Sequence, residues 1–190
     1  MLKTNRRRFL GALQLMLALS FGIVTVPEAR ADDLTPAQVA KLETFIKTAT
    51  TWAKDPVIVG AVKALNAKPR DTTKAMTQEQ WSKLTVMDPI VKEMRSNEAG
   101  KLLTSHKSDQ VSEAFVSIAD GTKAAFIAKP SNWSHKGKPK HDQPMDGKVW
   151  KGKPEKDDST GLQSVQFSVP VLDGSTPIGS LVVGISVGKL

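Results

Sequence analysis

The residues best suited to chemistry lie between positions 129 and 164, in a stretch rich in lysine, glycine, proline, tryptophan and histidine. The candidate ligand-binding residues in it are Trp133, His135, His141, Lys148 and Trp150. Lysines supply positive charge, and tryptophans supply a flat apolar wall with one N–H donor. This combination predicts a pocket for a small anionic metabolite, such as a carboxylate. The alternative is a solvated basic loop, because disordered segments are also rich in lysine and glycine.

The two histidines and Asp142 also raise the question of a metal site or a catalytic site. Imidazole and carboxylate groups bind divalent metals, but the spacing from His135 to His141 matches no helical or tight-turn ligand pair. A hydrolase needs a nucleophile beside a base that a third group orients, and no such motif surrounds either histidine. We therefore expect no metal, no cofactor and no enzymatic activity.

The composition excludes several further classes of function. The sequence contains no cysteine, which rules out disulfides, thiolate metal sites, covalent c-type haem and cysteine nucleophiles. Residues 1–31 hold five basic side chains and one acidic side chain, so they carry four of the eight net positive charges. The remaining net charge of +4 is too small to indicate nucleic-acid binding. We expect no nucleic-acid partner.

The N-terminus has the organisation of an export signal. The basic run Asn5-Arg6-Arg7-Arg8-Phe9-Leu10 precedes an apolar segment that ends near Val26, and Ala29-Arg30-Ala31 forms a small-x-small cleavage site. The Arg-Arg-x-Phe-Leu core resembles the twin-arginine signal, which implies export in the folded state. We predict a signal peptide at residues 1–31 and a periplasmic mature chain that does not span the membrane. An ordinary secretory signal and an uncleaved anchor are the alternatives.

Residues 34–104 show the patterns of helices. Thr35-Pro36-Ala37-Gln38 combines a capping box with proline at the first helical position, and apolar residues at helical spacing continue to Trp52. Further helix starts are predicted at Asp55-Pro56, at Thr77 with Gln80 and at Asp88-Pro89, with a last turn or two at residues 97–103. Trp52 and Trp81 lie on apolar stripes and should pack in the core. His106 should be a solvated loop residue.

Residues 112–190 show the patterns of an antiparallel sheet. Two short strands, 114–119 and 123–128, flank the turn dipeptide Asp120-Gly121. Residues 165–171 alternate between apolar and wetter positions, and after a turn at 173–177 a nearly all-apolar strand runs over 178–187. Residues 129–164 are predicted to be one long loop that closes over the side bearing Gln166 and Ser168. A ligand would then lie between sheet and loop.

The order of these elements predicts a single α+β domain over residues 32–190. Helices come first and a meander of strands follows, so the N-terminal helices should pack on one face of an antiparallel sheet. The strand at 165–171 requires this cover, because one of its sides is wholly apolar.

Several short motifs, taken together in their order, resemble the Cache family of PAS-like extracytoplasmic sensor domains. They are Glu113–Gly121, Trp150–Pro154, Asp157–Gly161 and Ser168–Asp173 with Ile178-Gly179. The resemblance implies a PAS-like sheet with a ligand-enclosing segment, and it places Asp157 or Asp158 at an acidic position near the pocket. Of these two residues, we take Asp158 as the candidate ligand-binding residue.

The resemblance also has departures that bear on function. The chain contains no tyrosine and lacks the Arg-x-Trp-Tyr cluster of amino-acid-binding members, and no membrane helix follows the last strand. It therefore implies a stand-alone periplasmic sensor for a small metabolite that acts through a membrane-bound signalling partner. The alternative is an accessory protein without a ligand, whose loop docks onto a periplasmic partner.

Overall fold

The computed structural model describes residues 33–71, 75–156 and 163–190. The predicted signal peptide at residues 1–31 lies outside this range. Within it the helices are α1 (Pro36–Ala53), α2 (Pro56–Ala67), α3 (Gln78–Lys83), α4 (Pro89–Ser96), α5 (Glu98–Ser105) and α6 (Pro139–Met145). The strands are β1 (Val111–Ile118), β2 (Lys123–Phe126), β3 (Trp150–Lys156), β4 (Gln163–Asp173) and β5 (Thr176–Ser186), and a 3-10 turn Val187–Lys189 follows. None of the described helices is long and apolar enough to cross a membrane.

The helices begin at the caps that the sequence predicts. Thr35 and Gln38 form a reciprocal capping box at α1, and the side chain of Asp55 accepts a hydrogen bond of 2.8 Å from the backbone N–H of Val57 at α2. Thr77 and Gln80 form a second capping box at α3, and proline occupies the first turn of α4. These predicted starts are confirmed. At α1, α2 and α3 the cap side chain satisfies backbone N–H groups only two or three positions away, whereas Asp88 at α4 makes no such capping bond.

The five strands form one antiparallel sheet in the order β2-β1-β5-β4-β3. This arrangement confirms the predicted α+β class. The side chains of Val165, Phe167, Val169 and Val171 all lie on one face and are fully buried. We call this the inner face, because the large apolar cluster that includes residues of α1 and α2 covers it. Gln166 and Ser168 point to the opposite, outer face.

The outer face has its own apolar cluster. Trp81 from α3 and Val91 and Met94 from α4 pack against Phe115 and Phe126 of the first hairpin. Trp81 is fully buried, which confirms its predicted packing role, and its ring meets that of Phe126 edge-on at 6.0 Å. Both faces of the sheet are therefore covered, and the remaining part of the outer face is closed by α6.

The prediction of one uninterrupted loop over residues 129–164 is wrong. This stretch contains α6, with proline at its first turn and Pro144 inside it, and the edge strand β3. Its lysines, glycines and prolines hide any period of two or 3.6. Strand β3 forms because β4 offers it a paired edge, with Trp150 opposite Ser168 and Glu155 opposite Ser164. That pairing is a tertiary contact that no local pattern encodes.

His106 also differs from its prediction. It caps the C-terminal end of α5 and is half-buried, and its ring stacks on that of Trp52 with centroids 4.2 Å apart and planes 6° apart. Burial lowers the pKa of His106, while the carboxylate of Asp55 acts in the opposite direction. The residue therefore joins the end of α1 to the end of α5 rather than lying free in solvent.

Candidate functional site

A cluster of buried polar side chains lies on the outer face of the sheet, next to α6. Its members, each no more than 3% exposed, are Ser117, Lys123, His135, His141 and Ser180. We call it the basic cluster. Lys123 is the first residue of β2 and lies opposite Ser117 in the register of the β1–β2 hairpin. The backbone N–H of His135 donates to the carbonyl of Gly121 at 2.9 Å, which fastens the segment after β2 onto the hairpin turn.

The Lys123 ammonium has a complete set of hydrogen-bond acceptors. Its Nζ lies 3.2 Å from Ser117 Oγ, 3.1 Å from the Gly121 carbonyl oxygen and 2.7 Å from His135 Nδ1. A charged lysine has three N–H donors, so these three uncharged groups satisfy it. Burial nevertheless lowers the pKa of Lys123 to about 7, against the opposing effect of Glu113 and with further lowering by Lys140.

His135 is held as a neutral ring beside this ammonium. It stacks on Phe115 with centroids 4.9 Å apart and planes 13° apart. Burial and then the charge of Lys123 lower the pKa of His135 to about 3. A neutral His135 whose proton is on Nε2 leaves Nδ1 free to accept the hydrogen bond from Lys123.

His141 occupies the part of the basic cluster that α6 covers. Its Nδ1 lies 2.8 Å from Ser180 Oγ, and its Nε2 lies 3.4 Å from the carbonyl oxygen of Ala119. A carbonyl only accepts, so we assign the ring proton to Nε2 and let Ser180 donate to Nδ1. Burial lowers the pKa of His141, and the hydrogen bond to Ala119 opposes the shift.

Ser168 lies on the same outer face, on β4. Its side chain is fully buried, and its Oγ has no hydrogen-bond partner among the described residues. Ser168 pairs with Trp150 of β3 on one side and with Val182 of β5 on the other. Buried hydroxyl groups normally have a hydrogen-bond partner, so the Ser168 hydroxyl is available to hydrogen-bond a further polar group.

A polar chain connects this face to an open cavity. The ammonium of Lys140 in α6 contacts Gln166 Oε1 and lies 5.8 Å from the centre of the Trp150 ring. Gln166 Nε2 in turn donates to Glu113 Oε2 at 2.6 Å. Burial lowers the pKa of Lys140, although the carboxylates of Glu113 and Glu155 oppose that shift.

The cavity beyond Gln166 has a volume of about 460 Å³ and carries charges of both signs. Its lining residues include Glu113, Glu155, Lys129 and Lys156, and the ammonium of Lys129 lies 4.6 Å from the centre of the Trp81 ring. Pro130 forms part of its wall, and its carbonyl oxygen accepts a hydrogen bond of 2.7 Å from Trp81 Nε1. The cavity can therefore offer ion pairs to a carboxylate and to an amine, beside a wall fixed by the outer apolar cluster.

The residues nominated from the sequence occupy different places. His135 and His141 belong to the basic cluster, and half-buried Trp150 lies beside Lys140. Trp133 is 5% exposed and packs against Trp81 with ring centroids 5.0 Å apart. It therefore contacts the residue that holds Pro130 of the cavity wall, and does not line the cavity itself.

The other two nominated residues are not part of this arrangement. Lys148 has a 70% exposed side chain and lies 3.8 Å from Asp146, and it takes part in none of the contacts described above. Asp158 lies outside the described residues.

Reasoning from the sequence missed Lys123 as a site residue. A lysine is normally exposed, and only the pairing with Ser117 places Lys123, two residues after the Asp120-Gly121 turn, under the segment that contains His135. Glu113 was also missed as a lining group; its signal was weak, because it is one polar residue in a largely apolar strand. Gln166 lies, as predicted, on the side of β4 that faces away from the inner apolar cluster.

The described residues contain no group of three or more histidine, aspartate or glutamate side chains placed to hold a metal ion. The basic cluster is also unsuited to a cation, because a buried ammonium lies within hydrogen-bond distance of His135 Nδ1.

No family model and no curated protein matches the sequence. The chain is similar to solved structures of sensor domains. One is the V. cholerae histidine kinase DctB sensor domain, at 12% identity over 79% of this chain and 54% of that chain, with a TM-score of 0.41. Another is the ligand-binding domain of a Pseudomonas aeruginosa amino acid chemoreceptor in complex with GABA, at 14% identity over 79% and 57%, with a TM-score of 0.40.

A third similar structure is the sensory domain of a Campylobacter jejuni chemoreceptor with isoleucine bound. It is 16% identical over 80% of this chain and 64% of that chain, with a TM-score of 0.40. The chain thus spans between about half and two thirds of the length of these three structures.

Proposed function

We propose that the protein is a periplasmic sensor or binding module that takes a small carboxylate metabolite on the outer face of its sheet. Ligand binding would be signalled through a partner protein, as in a non-enzymatic sensor of the Cache type. The observation that carries the proposal is a polar cavity of about 460 Å³ on the outer face of the sheet. Its lining residue Gln166 contacts the ammonium of Lys140.

The charges around the cavity support a carboxylate ligand. Lys129 and Lys156 are among its lining residues. The Lys140 ammonium contacts a third lining residue, Gln166. Lysine suits an anionic ligand as a flexible point charge, and the partial burial of Lys140 strengthens any ion pair that it makes.

The carboxylates of the cavity narrow the ligand class further. Glu113 and Glu155 would repel a second carboxylate of a dicarboxylic acid, but they would pair with an ammonium group. A ligand that carries one carboxylate and one amine therefore fits the lining better than a dicarboxylate or a phosphate ester does. We propose an amino-carboxylic acid as the ligand class.

Thermal unfolding against a panel of amino acids, dicarboxylates, phosphates and divalent metals tests this proposal. A ligand at about one hundred times its Kd adds about 2.7 kcal/mol, which corresponds to a Tm rise of several degrees for a domain of this size. We expect the rise with amino-carboxylates alone. A protein that unfolds cooperatively but shows no shift with any compound would favour the accessory protein without a ligand.

Matched substitutions locate the binding site. Lys129→Gln removes a lining charge, and Lys47→Gln makes the same change on the exposed side of α1, which packs on the inner face of the sheet. We expect the first variant to lose most of the ligand-induced Tm shift and the second to keep it. Equal shifts in both variants would place the ligand elsewhere.

Two further variants test residues nominated from the sequence. Trp150→Ala removes the ring beside Lys140 and should also weaken the shift. Lys148→Glu tests the exposed lysine, which the sequence places among the ligand-binding residues. A full shift in Lys148→Glu would remove that lysine from the proposed site without affecting the cavity.

A further inference from the structure

The positive charge of the chain is concentrated in one segment. Residues 129–156 contain eight lysines, no arginine and three acidic residues, a net charge of +5. The whole chain carries +8, of which residues 1–31 carry +4, so the rest of the chain together carries −1. The charge that remains after the predicted signal peptide is therefore due to this segment alone.

The fold brings much of this charge to one edge of the sheet. Strand β3 is the last strand in the sheet order, and its residues Lys151, Lys153 and Lys156 are exposed. Lys148 lies two residues before β3 and its side chain is 70% exposed, and Lys138 lies at the start of α6, which packs against β3. We call these five lysines the lysine edge. Val149, in the middle of it, is 41% exposed.

The chemistry of the lysine edge indicates a diffuse anionic surface as its partner. Arginine is preferred where a single carboxylate or phosphate is held by two parallel hydrogen bonds, whereas lysine supplies a hydrated point charge on a flexible stem. An all-lysine edge with an exposed valine suits a plane of anionic headgroups, which attracts many cations at once and accepts a small apolar side chain.

We propose that the lysine edge binds the surface of an anionic lipid bilayer, with the sheet standing edge-on to the membrane. The acidic side chains near it do not remove the attraction. Lys148 faces Asp146 at 3.8 Å and Lys151 pairs with Glu43 of α1, but both pairs are exposed and hold their charges weakly. The lysine edge shares Lys156 with the lining of the ligand cavity, but the variants that test the edge leave Lys156 unchanged, so either proposal can fail without the other.

Vesicle binding tests the proposal with the protein purified after expression of the whole 190-residue sequence. Co-sedimentation is measured with phosphatidylcholine vesicles and with vesicles containing about one third phosphatidylglycerol. We expect binding to the anionic vesicles alone, and we expect it to weaken strongly when the salt rises from about 50 mM to about 200 mM, since salt screens exposed charges.

Two double variants assign the binding to the lysine edge. Lys148→Glu with Lys153→Glu reverses two of its charges. Lys92→Glu with Lys101→Glu makes the same change of net charge on α4 and α5, which pack against β2 at the other edge of the sheet. Each cation lost from a membrane contact costs about fivefold, so the first double variant should bind at least about 25-fold more weakly. The second should change binding by less than about threefold, because its cations lie far from the lysine edge.

The remaining outcomes overturn the proposal. Equal binding to neutral and anionic vesicles would indicate an apolar contact, for example through a retained leader. An equal loss in both double variants would indicate net charge alone. No binding at low salt would exclude a lipid surface and leave the lysine edge to an acidic protein partner or to solubility. As a control, the Tm of both double variants is measured, and values equal to that of the wild-type protein show that a loss of binding does not reflect unfolding.

Discussion

At the scale of single residues, burial sets the protonation of the basic cluster. The pKa of His135 falls from an ordinary 6.5 to about 3, so between these pH values the unfolded chain binds a proton that the folded chain does not. Folding stability must therefore decrease as the pH falls through this window. The pKa of Lys123 falls from 10.5 to about 7, so by the same reasoning its contribution to stability increases as the pH rises from about 7 to about 10.

The acid window gives a prediction for His135→Asn. The Asn side chain offers an acceptor near the position of Nδ1 and does not titrate, so Lys123 keeps a partner. We expect the wild-type protein to lose about 2–3 kcal/mol of unfolding free energy between about pH 6.5 and about pH 4, and the variant to lose clearly less over that range.

Urea unfolding at a series of pH values measures both slopes. Loss of the stacking on Phe115 should lower the stability of the variant at every pH, so the slope and not the absolute value is the test. Identical slopes in the two proteins would mean that His135 titrates normally in the folded state.

At the scale of elements, the first hairpin positions the segment that closes the basic cluster. Gly121 adopts a φ of +83°, and a Cβ there would approach the backbone N of Lys136 to 2.3 Å. A β-bridge between Thr122 and Ser134 also joins the hairpin turn to the segment at 134–136. The turn therefore needs glycine for its conformation and for the close approach of the next segment. The hairpin and the site are structurally coupled through these contacts.

This coupling predicts unequal effects of two glycine substitutions. Gly174→Ala should cost only about 1 kcal/mol, since its φ is +61° and a Cβ would meet nothing within 4 Å. Gly121→Ala should cost about 2–4 kcal/mol, because steric displacement of the 134–136 segment adds to the conformational cost. Urea unfolding of both variants provides the comparison, and equal losses would show that the segment moves aside without cost.

At the scale of the whole molecule, two apolar clusters share the strands of one sheet. The inner cluster includes Phe167 of β4, and the outer cluster includes Phe115 of β1. Alternate residues of the same strands contribute to both, so neither cluster can be lost while the other keeps its strands. The described residues should therefore unfold as one unit, and the single domain over residues 32–190 stays a prediction of the sequence.

Cooperativity is tested by truncating one side chain on each face. Phe167→Ala and Phe115→Ala should each cost about 3–5 kcal/mol and lower one common Tm. Near-UV and far-UV circular dichroism should report coincident transitions in both variants. A variant in which the near-UV signal melts first, with the far-UV signal retained, would contradict a single unit.

The sequence by itself determined the parts of this fold that depend on local contacts. The caps at Thr35, Asp55 and Thr77 satisfy backbone groups within two or three residues, and the alternation from Val165 to Val171 follows from one buried face. Helix starts, the hairpin turn and the α+β class were therefore predictable. The leader at residues 1–31, its twin-arginine route and the Cache resemblance stay predictions of the sequence.

The tertiary structure alone decided how the site is assembled. Strand β3 exists because β4 presents an edge to it, and Lys123 is buried because register pairs it with Ser117 beneath His135. The cavity joins β1, β3 and β4 with the segment at 128–131, which are far apart along the chain. Such contacts depend on long-range packing, and neither residue type nor periodicity in the sequence reports it.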